Sequence, residues 1–411
     1  MTRQQIKKRQ EELKRQFDRA AKALKIGDVE QAGELALRLT RELPGWAAVH
    51  LLMGSVHSAA GRHERAARSF EKAVEIDPDH VEAQNNLGVA YRQLGEFAKA
   101  LAAVEQALAI TKKRSDVYYN LANIHKSLGN FDDARASYEK AIELDPNFVL
   151  AYNNLGTLLH QNGDSQAALK VLRAGLQIDA NHPKLHYNLG LVYESLGKLE
   201  DATGEYRESL TRRPGWTDAL NNLGIVYQRL NRYEDSLDTF AEILELEPSN
   251  ATALNNSATV LAEQGKVDEA ITYYKRALNN RPTYNHAIAN ISSLLERHTD
   301  SGSASEELQQ LAVQYPDNHA VRLSLVEKLL DQKRREEANR HLDYLVAHQP
   351  DGIEQIKTLG KLLLAADRPD EAETCFRYVA SQGDEKHRYT LDLANIYRDL
   401  GKLDQARAYV D

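Results

Sequence analysis

Apolar residues recur along this chain at helical spacing, in pairs of short stripes separated by a turn. Over 85–108, Leu87, Gly88 and Tyr91 lie at i, i+1 and i+4, and after a turn come Ala100, Val104 and Ala107. The next units read Leu121/His125 with Ala134/Tyr138/Ala141, then Leu189/Tyr193 with Ala202/Tyr206. Spacings of three and four place such residues on one face of a helix. The pattern also keeps a fixed long period. Alanine stands at 32, 66, 100, 134, 168 and 202, Ser236 takes the next place, and alanine returns at 270, 304, 338, 372 and 406. The interval never slips, and a fixed period in this range predicts a stacked solenoid.

Two punctuation marks share the grid. Five residues before most of these small residues stand Gly27, Gly61, Gly95, Gly129, Gly163, Gly197, Gly265 and Gly401, with Asn231 in the same slot. Gly and Asn tolerate the left-handed backbone that ends a helix. Twelve residues after it come Pro44, Pro78, Pro146, Pro214, Pro248, Pro282, Pro316 and Pro350. Proline cannot continue the helix behind it and disfavours helix in the residue before it. The unit is therefore a helix, a turn, a second helix and a stop. About twelve such units make an all-α solenoid.

These residues resemble the tetratricopeptide repeat, with its Leu-Gly-x2-Tyr, Gly, Ala-x3-aromatic, Ala and Pro spacing over 34 residues. The segments NNLGVAYRQLGEFAKALAAVEQAL at 85–108, YNLANIHKSLGNFDDARASYEKAIELDP at 119–146 and YNLGLVYESLGKLEDATGEYRESLTRRP at 187–214 carry it. The resemblance extends from about residue 13 to the end. It implies a right-handed superhelical α-solenoid whose first helices line a concave groove.

The array is not uniform. Residues 1–12 read as a charged helical extension; Lys7, Lys8 and Arg9 are followed at once by Glu11 and Glu12, which favours a solvated face over a membrane anchor. Residues 13–46 form a degenerate capping repeat, with Arg19 and Ala20 where later units have Leu-Gly. A regular array spans 47–296. The stretch RHTDSGSAS at 297–305 is rich in turn formers and predicts a loop or soft joint. A less regular array follows over 306–411, with Lys333 and Asp367 at the turn slot and a last repeat that stops inside its second helix.

The strongest functional signal is a second ladder. The residue before each Leu-Gly slot is Asn86, Asn120, Asn154, Asn188, Asn222, Asn256 and Asn290, often preceded by another polar or aromatic residue: Asn85, Tyr119, Asn153, Tyr187, Asn221 and Asn255. One turn further on lie Val89, Asn123, Thr157, Leu191, Ile225, Thr259 and Ser293. An asparagine side chain offers one acceptor and two donors, which suits the main chain of an extended peptide. The row is similar to the groove of protein O-linked N-acetylglucosamine transferases, and to the cargo-binding repeats of motor light chains. That likeness implies a grip on the main chain of a partner segment. The competing reading is that these asparagines join adjacent helices. The family's carboxylate clamp for peptide tails is not matched, because Lys184 and Arg229 stand apart and beside acids.

Composition narrows the partners. A formal net charge of −8 and a pI near 6.0 argue against nucleic acid, whose binders are usually basic. A helical RNA-binding array would also need a basic groove. No apolar run is long enough to span a membrane, and the first residues lack the apolar core of a secretory signal, so a cytoplasmic location is expected. The single cysteine, Cys375, excludes an intrachain disulfide. No phosphate-binding loop, dinucleotide fingerprint, zinc-protease motif or nucleophile elbow occurs, so no catalytic residue, cofactor or metal is expected. His182 and His186 are assigned to a helix junction. The expected function is a scaffold that binds extended segments of partner proteins. The alternative is the substrate-recognition arm of a larger transferase whose catalytic domain lies beyond Asp411. Self-association through solenoid ends is a further expectation.

Overall fold

The computed structural model describes residues 3–298 and 301–381, together with Ala394, Tyr397, Arg398 and Ala406. Among these residues all regular structure is helical. None of the described helices is long and apolar enough to cross a membrane. The chain divides into two compact units, Met1–Arg213 and Pro214–Asp411.

The first unit holds α1 (Arg3–Lys25), α2 (Val29–Glu42), α3 (Ala47–Ala59), α4 (His63–Ile76), α5 (Val81–Gln93) and α6 (Phe97–Ile110). It continues with α7 (Ser115–Ser127), α8 (Phe131–Leu144), α9 (Val149–Gln161), α10 (Ser165–Ile178), α11 (Pro183–Ser195) and α12 (Leu199–Arg212). The second unit holds α13 (Thr217–Arg229), α14 (Tyr233–Leu246), α15 (Ala251–Glu263), α16 (Val267–Asn280) and α17 (Asn285–His298). After it come α18 (Ser301–Gln314), α19 (His319–Asp331), α20 (Arg335–Ala347), α21 (Ile353–Ala365) and α22 (Pro369–Ser381). Odd-numbered helices are the first of each repeat and even-numbered ones the second, so each unit is a run of helix-turn-helix repeats. The first helices of successive repeats touch within a unit, as in α3 with α5 and α15 with α17. Within each unit they make one continuous face, called here the first-helix face.

The 34-residue grid is a packing grid. The small residues on the second helices, from Ala32 to Ala202 and from Ala270 to Ala372, are fully buried or nearly so. Ser236 is buried too, and its hydroxyl donates to the Gly224 carbonyl at 2.7 Å, which explains how the one polar member fits. Four positions on, Phe70, Val104, Tyr138, Leu172, Tyr206, Phe240 and Tyr274 fill the seam against the first helix of the same repeat. That helix answers with a small residue. A Cβ on Gly190 would stand 2.6 Å from the Tyr206 ring, and one on Gly224 would stand 2.7 Å from Phe240.

Every turn slot that is described adopts the left-handed backbone, glycine or not: Asn231 has φ 58°, Lys333 φ 61° and Asp367 φ 65°. The irregular sequence after residue 305 therefore keeps the repeat geometry at both of its described turns. The expected loop at 297–305 is helical wherever it is described, since α17 runs to His298 and α18 begins at Ser301. The second unit's apolar core runs without a break from Leu254 through Ala304 and Leu308 to Val379. The division of the chain falls after Arg213 instead. At the amino end α1 joins the charged extension and the first helix of the capping repeat in one helix, and Arg9 pairs with Glu42 of α2. The expectation of an unfinished last repeat lies largely outside the described residues.

Candidate functional site

The ladder asparagines occupy one position on α5, α7, α9 and α11 in the first unit and on α13, α15 and α17 in the second. All seven are half-buried on the first-helix face. Their amides are used within the stack. Asn120 Nδ2 donates to Asn85 Oδ1 at 2.9 Å. Asn154 Nδ2 donates to the Tyr119 hydroxyl at 3.0 Å and to Asn123 Oδ1 at 3.2 Å. Asn188 Nδ2 donates to Asn153 Oδ1 at 2.9 Å and to Thr157 Oγ1 at 3.1 Å. In the second unit Asn256 Nδ2 reaches Asn221 Oδ1 at 2.9 Å, and Asn290 Nδ2 reaches Asn255 Oδ1 at 3.2 Å. Each of these five amide nitrogens thus holds the first helix of the preceding repeat.

The row is regular because its acceptors recur. Position −35 supplies Asn85, Tyr119, Asn153, Asn221 or Asn255, and position −31 supplies Asn123, Thr157 or Thr259. Asn86 opens the row without such a bond among the described residues: Leu51 takes the −35 place, and the Ser55 hydroxyl at −31 donates to the Leu51 carbonyl. It faces a recess with Ser55, Ser58, Ala59, Phe70 and Val89.

This geometry corrects part of the expected groove. Asn85, Asn153 and Asn255 are buried, at 4%, 8% and 6% exposure, and act as acceptors inside the seam. Asn123 is likewise engaged, accepting from the Tyr138 hydroxyl at 2.6 Å and from Asn154. Tyr119 packs on Phe148 with ring centroids 5.0 Å apart, and Tyr187 on Tyr206 at 5.9 Å. Asn221 is half-buried and accepts from Asn256. What faces outward is the other end of the ladder amide. Among the described residues, Oδ1 of Asn86, Asn120, Asn188 and Asn290 accepts no hydrogen bond from the protein. Oδ1 of Asn154 and of Asn256 instead accepts from the preceding asparagine, at 3.1 and 3.3 Å.

Two neighbours escaped notice in the sequence. Arg92 and Lys126 lie six residues after Asn86 and Asn120, on α5 and α7, and both are half-buried. Burial pulls the Lys126 ammonium below the ordinary lysine value. Burial pushes the Tyr138 hydroxyl up, and the nearby Arg92 charge works against that rise. The signal that could have found them is a basic residue recurring on the same grid as the asparagines.

The remaining candidates for chemistry have structural partners. His182 caps α11 by accepting from Leu185 N–H, and Pro183 opens that helix. His186 faces Glu205 Oε2 through Nδ1 at 2.7 Å and the Ala180 carbonyl through Nε2 at 3.0 Å. Cys375 is buried, and burial pushes its thiol up to about 11, away from reactivity.

Comparison with known proteins gives a consistent family. Tetratricopeptide-repeat models match residues 46–113, 115–148, 137–170, 183–215, 221–285 and 357–411, and a further TPR-repeat model matches 156–197. No match occurs among curated proteins. Among solved structures, MamA is 22% identical over 39% of this chain and 94% of its own, with a TM-score of 0.36. YrrB, described as a TPR protein with an unusual peptide-binding site, is 24% identical over 45% of this chain and 95% of its own, with a TM-score of 0.37. PilF of Pseudomonas aeruginosa is 21% identical over 50% of this chain and 94% of its own, with a TM-score of 0.45. None of these likenesses bears on the transferase groove in particular. The repeat models together cover well over half of the residues, and the chain belongs to the tetratricopeptide-repeat family.

Proposed function

We propose that the chain is a protein-interaction scaffold whose first-helix face takes extended segments of partner proteins. The observation that carries this reading is the orientation of the ladder. The amide nitrogens of Asn120, Asn188 and Asn290 are fixed on the preceding repeat, while among the described residues their oxygens, and that of Asn86, remain open to accept a hydrogen bond. A peptide main chain supplies N–H donors whatever its side chains are. Packed helices lie about 8–10 Å apart. An extended or polyproline-type chain advances about 3.1–3.4 Å per residue, so one repeat meets about three residues of a partner. Each such bond contributes only about 0.5–1.5 kcal/mol, and affinity comes from several in register. The preorganised amides lose little freedom on binding, which favours a repetitive weak grip.

The test is selection of peptides from a random library by the intact chain, followed by affinity measurement with Asn120→Ala/Asn188→Ala. Both proteins are first shown to be folded at the assay temperature. The account expects weakening by about tenfold or more for peptides of unrelated sequence. Unchanged affinities would make the ladder a purely structural device.

A further inference from the structure

We propose that the first-helix face of the first unit, at Arg92 and Lys126, selects acidic segments by receiving their carboxylate side chains; this rests on the groove reading above. The two residues sit at the same helical position of successive repeats, on helices that touch. Among the described residues, the other half-buried cations of this unit are paired, Lys140 with Glu143 and Arg212 with Glu208. Arg92 and Lys126 are half-buried as well, yet neither has an ion pair among the described residues. In a chain with 60 acids and 52 strong bases, two half-buried cations left without a carboxylate are a departure that needs a cause.

Their own helices offer no carboxylate nearby. The acid of α5 is Glu82 and that of α7 is Asp116, each ten positions back, and at 1.5 Å per residue that is about 15 Å along the axis. Asp116 is already paired with Arg114. Around the two cations the face carries uncharged groups: Val89 and Asn123 one turn before, Gln93 and Ser127 one residue after. A half-buried cation has lost part of its hydration, so a carboxylate that reaches it gains more than at an open surface.

The spacing specifies the ligand further. A polyproline-type chain presents the same face every three residues, about 9.3 Å apart, which matches the separation of packed helices. Its main-chain N–H groups remain unpaired and available to the ladder oxygens. Acids spaced three apart would therefore meet Arg92 and Lys126 while the intervening main chain lies along the asparagines. The charge does not continue. His160 takes the same position on α9, and burial lowers its imidazole below the ordinary value, so it is neutral at pH 7. Glu194 follows on α11 and accepts from the Tyr206 hydroxyl at 3.0 Å. An acidic segment is thus placed at α5–α7 and repelled at α11, which fixes its register along the face.

The test compares a peptide of four Ala-Pro-Asp triplets with one of four Ala-Pro-Asn triplets, by fluorescence anisotropy, on the intact chain and on Arg92→Gln/Lys126→Gln. The expected result is about tenfold or greater preference for the acidic peptide, weakening as salt screens it, and abolished in the double variant. Neither substituted cation has an ion-pair partner to lose among the described residues, so the variant should melt like the parent. Equal binding of the two peptides by both proteins would overturn the acidic specificity and leave the groove reading standing. Binding of neither triplet peptide, with library-selected peptides still bound, overturns the specificity alone. Loss of the library response as well overturns the groove reading with it.

Discussion

Asn188 Nδ2 donates to Asn153 Oδ1 across 35 residues at 2.9 Å, and Asn153 is itself 8% exposed. One asparagine is therefore a buried acceptor and its partner a half-buried donor that keeps a free oxygen. The two adjacent polar positions in each repeat consequently have different roles, and substitutions should separate them. Asn153→Ala leaves the Asn188 amide with one acceptor fewer and should destabilise the fold by about 1–3 kcal/mol. Peptide affinity of the folded protein should stay close to that of the parent. Chemical denaturation paired with a binding titration checks both parts. A variant that melts normally but loses binding would reverse the assignment.

The packing of glycine against aromatic rings makes a sharper stability prediction. Gly190 lies where a Cβ would come 2.6 Å from Tyr206. Gly190→Ala forces that buried ring to shift, and overpacking of this kind costs about 1–3 kcal/mol. Gly204, on the open side of α12, has nothing within 4 Å of the same added atom, so Gly204→Ala is the matched control and should not destabilise. Equal melting of the two variants would remove the packing explanation for the Leu-Gly pair.

The turn at Lys333 stores strain. Its φ of 61° is a conformation that favours glycine, and its side chain is exposed. A left-handed residue other than glycine costs about 1–2 kcal/mol; glycine removes that cost but loses part of the gain through its larger unfolded-state entropy. Lys333→Gly should therefore stabilise the second unit by about 0.5–1 kcal/mol. A fall in denaturation midpoint would contradict this.

Stability should also depend on pH through His186. Both its ring nitrogens face acceptors, the Glu205 carboxylate and the Ala180 carbonyl, and the Glu205 bond holds its pKa above the ordinary 6.5 despite burial and the opposing charge of Arg212. A raised folded value means the protonated pair contributes fully below 6.5 and is lost as pH rises through the folded value. The stability gap between the parent and Glu205→Gln should be widest near about pH 5.5 and shrink by about pH 8.5. A gap independent of pH would show that the imidazolium is not the species in the pair.

Much of this architecture was legible in residues alone, because each repeat reuses one packing solution. Ala32 and its successors, the glycine turns and the prolines each answer a local steric demand. Two features were not legible. Residues 301–305 carry turn formers yet lie in α18, since Ala304, Leu308 and Leu311 are buried and tertiary packing outweighs weak local propensity. The asparagine pairs were visible as a shared face. Which member turned into the seam depends on a rotation of 100° between adjacent residues and on the neighbouring repeat, which a single repeat's sequence does not encode. Arg92 and Lys126 share the same difficulty: their lack of a partner is a property of the packed stack.

The most direct measurement concerns the main chain itself. Take the tightest library-selected peptide and replace every third amide with an ester, which removes the N–H donor and keeps every side chain. If the open asparagine oxygens grip the main chain, one ester frame should bind about tenfold or more weakly while the other two frames lose less. If all three ester frames bind as the parent peptide does, the partner's main chain is not what the first-helix face holds, and the central claim fails.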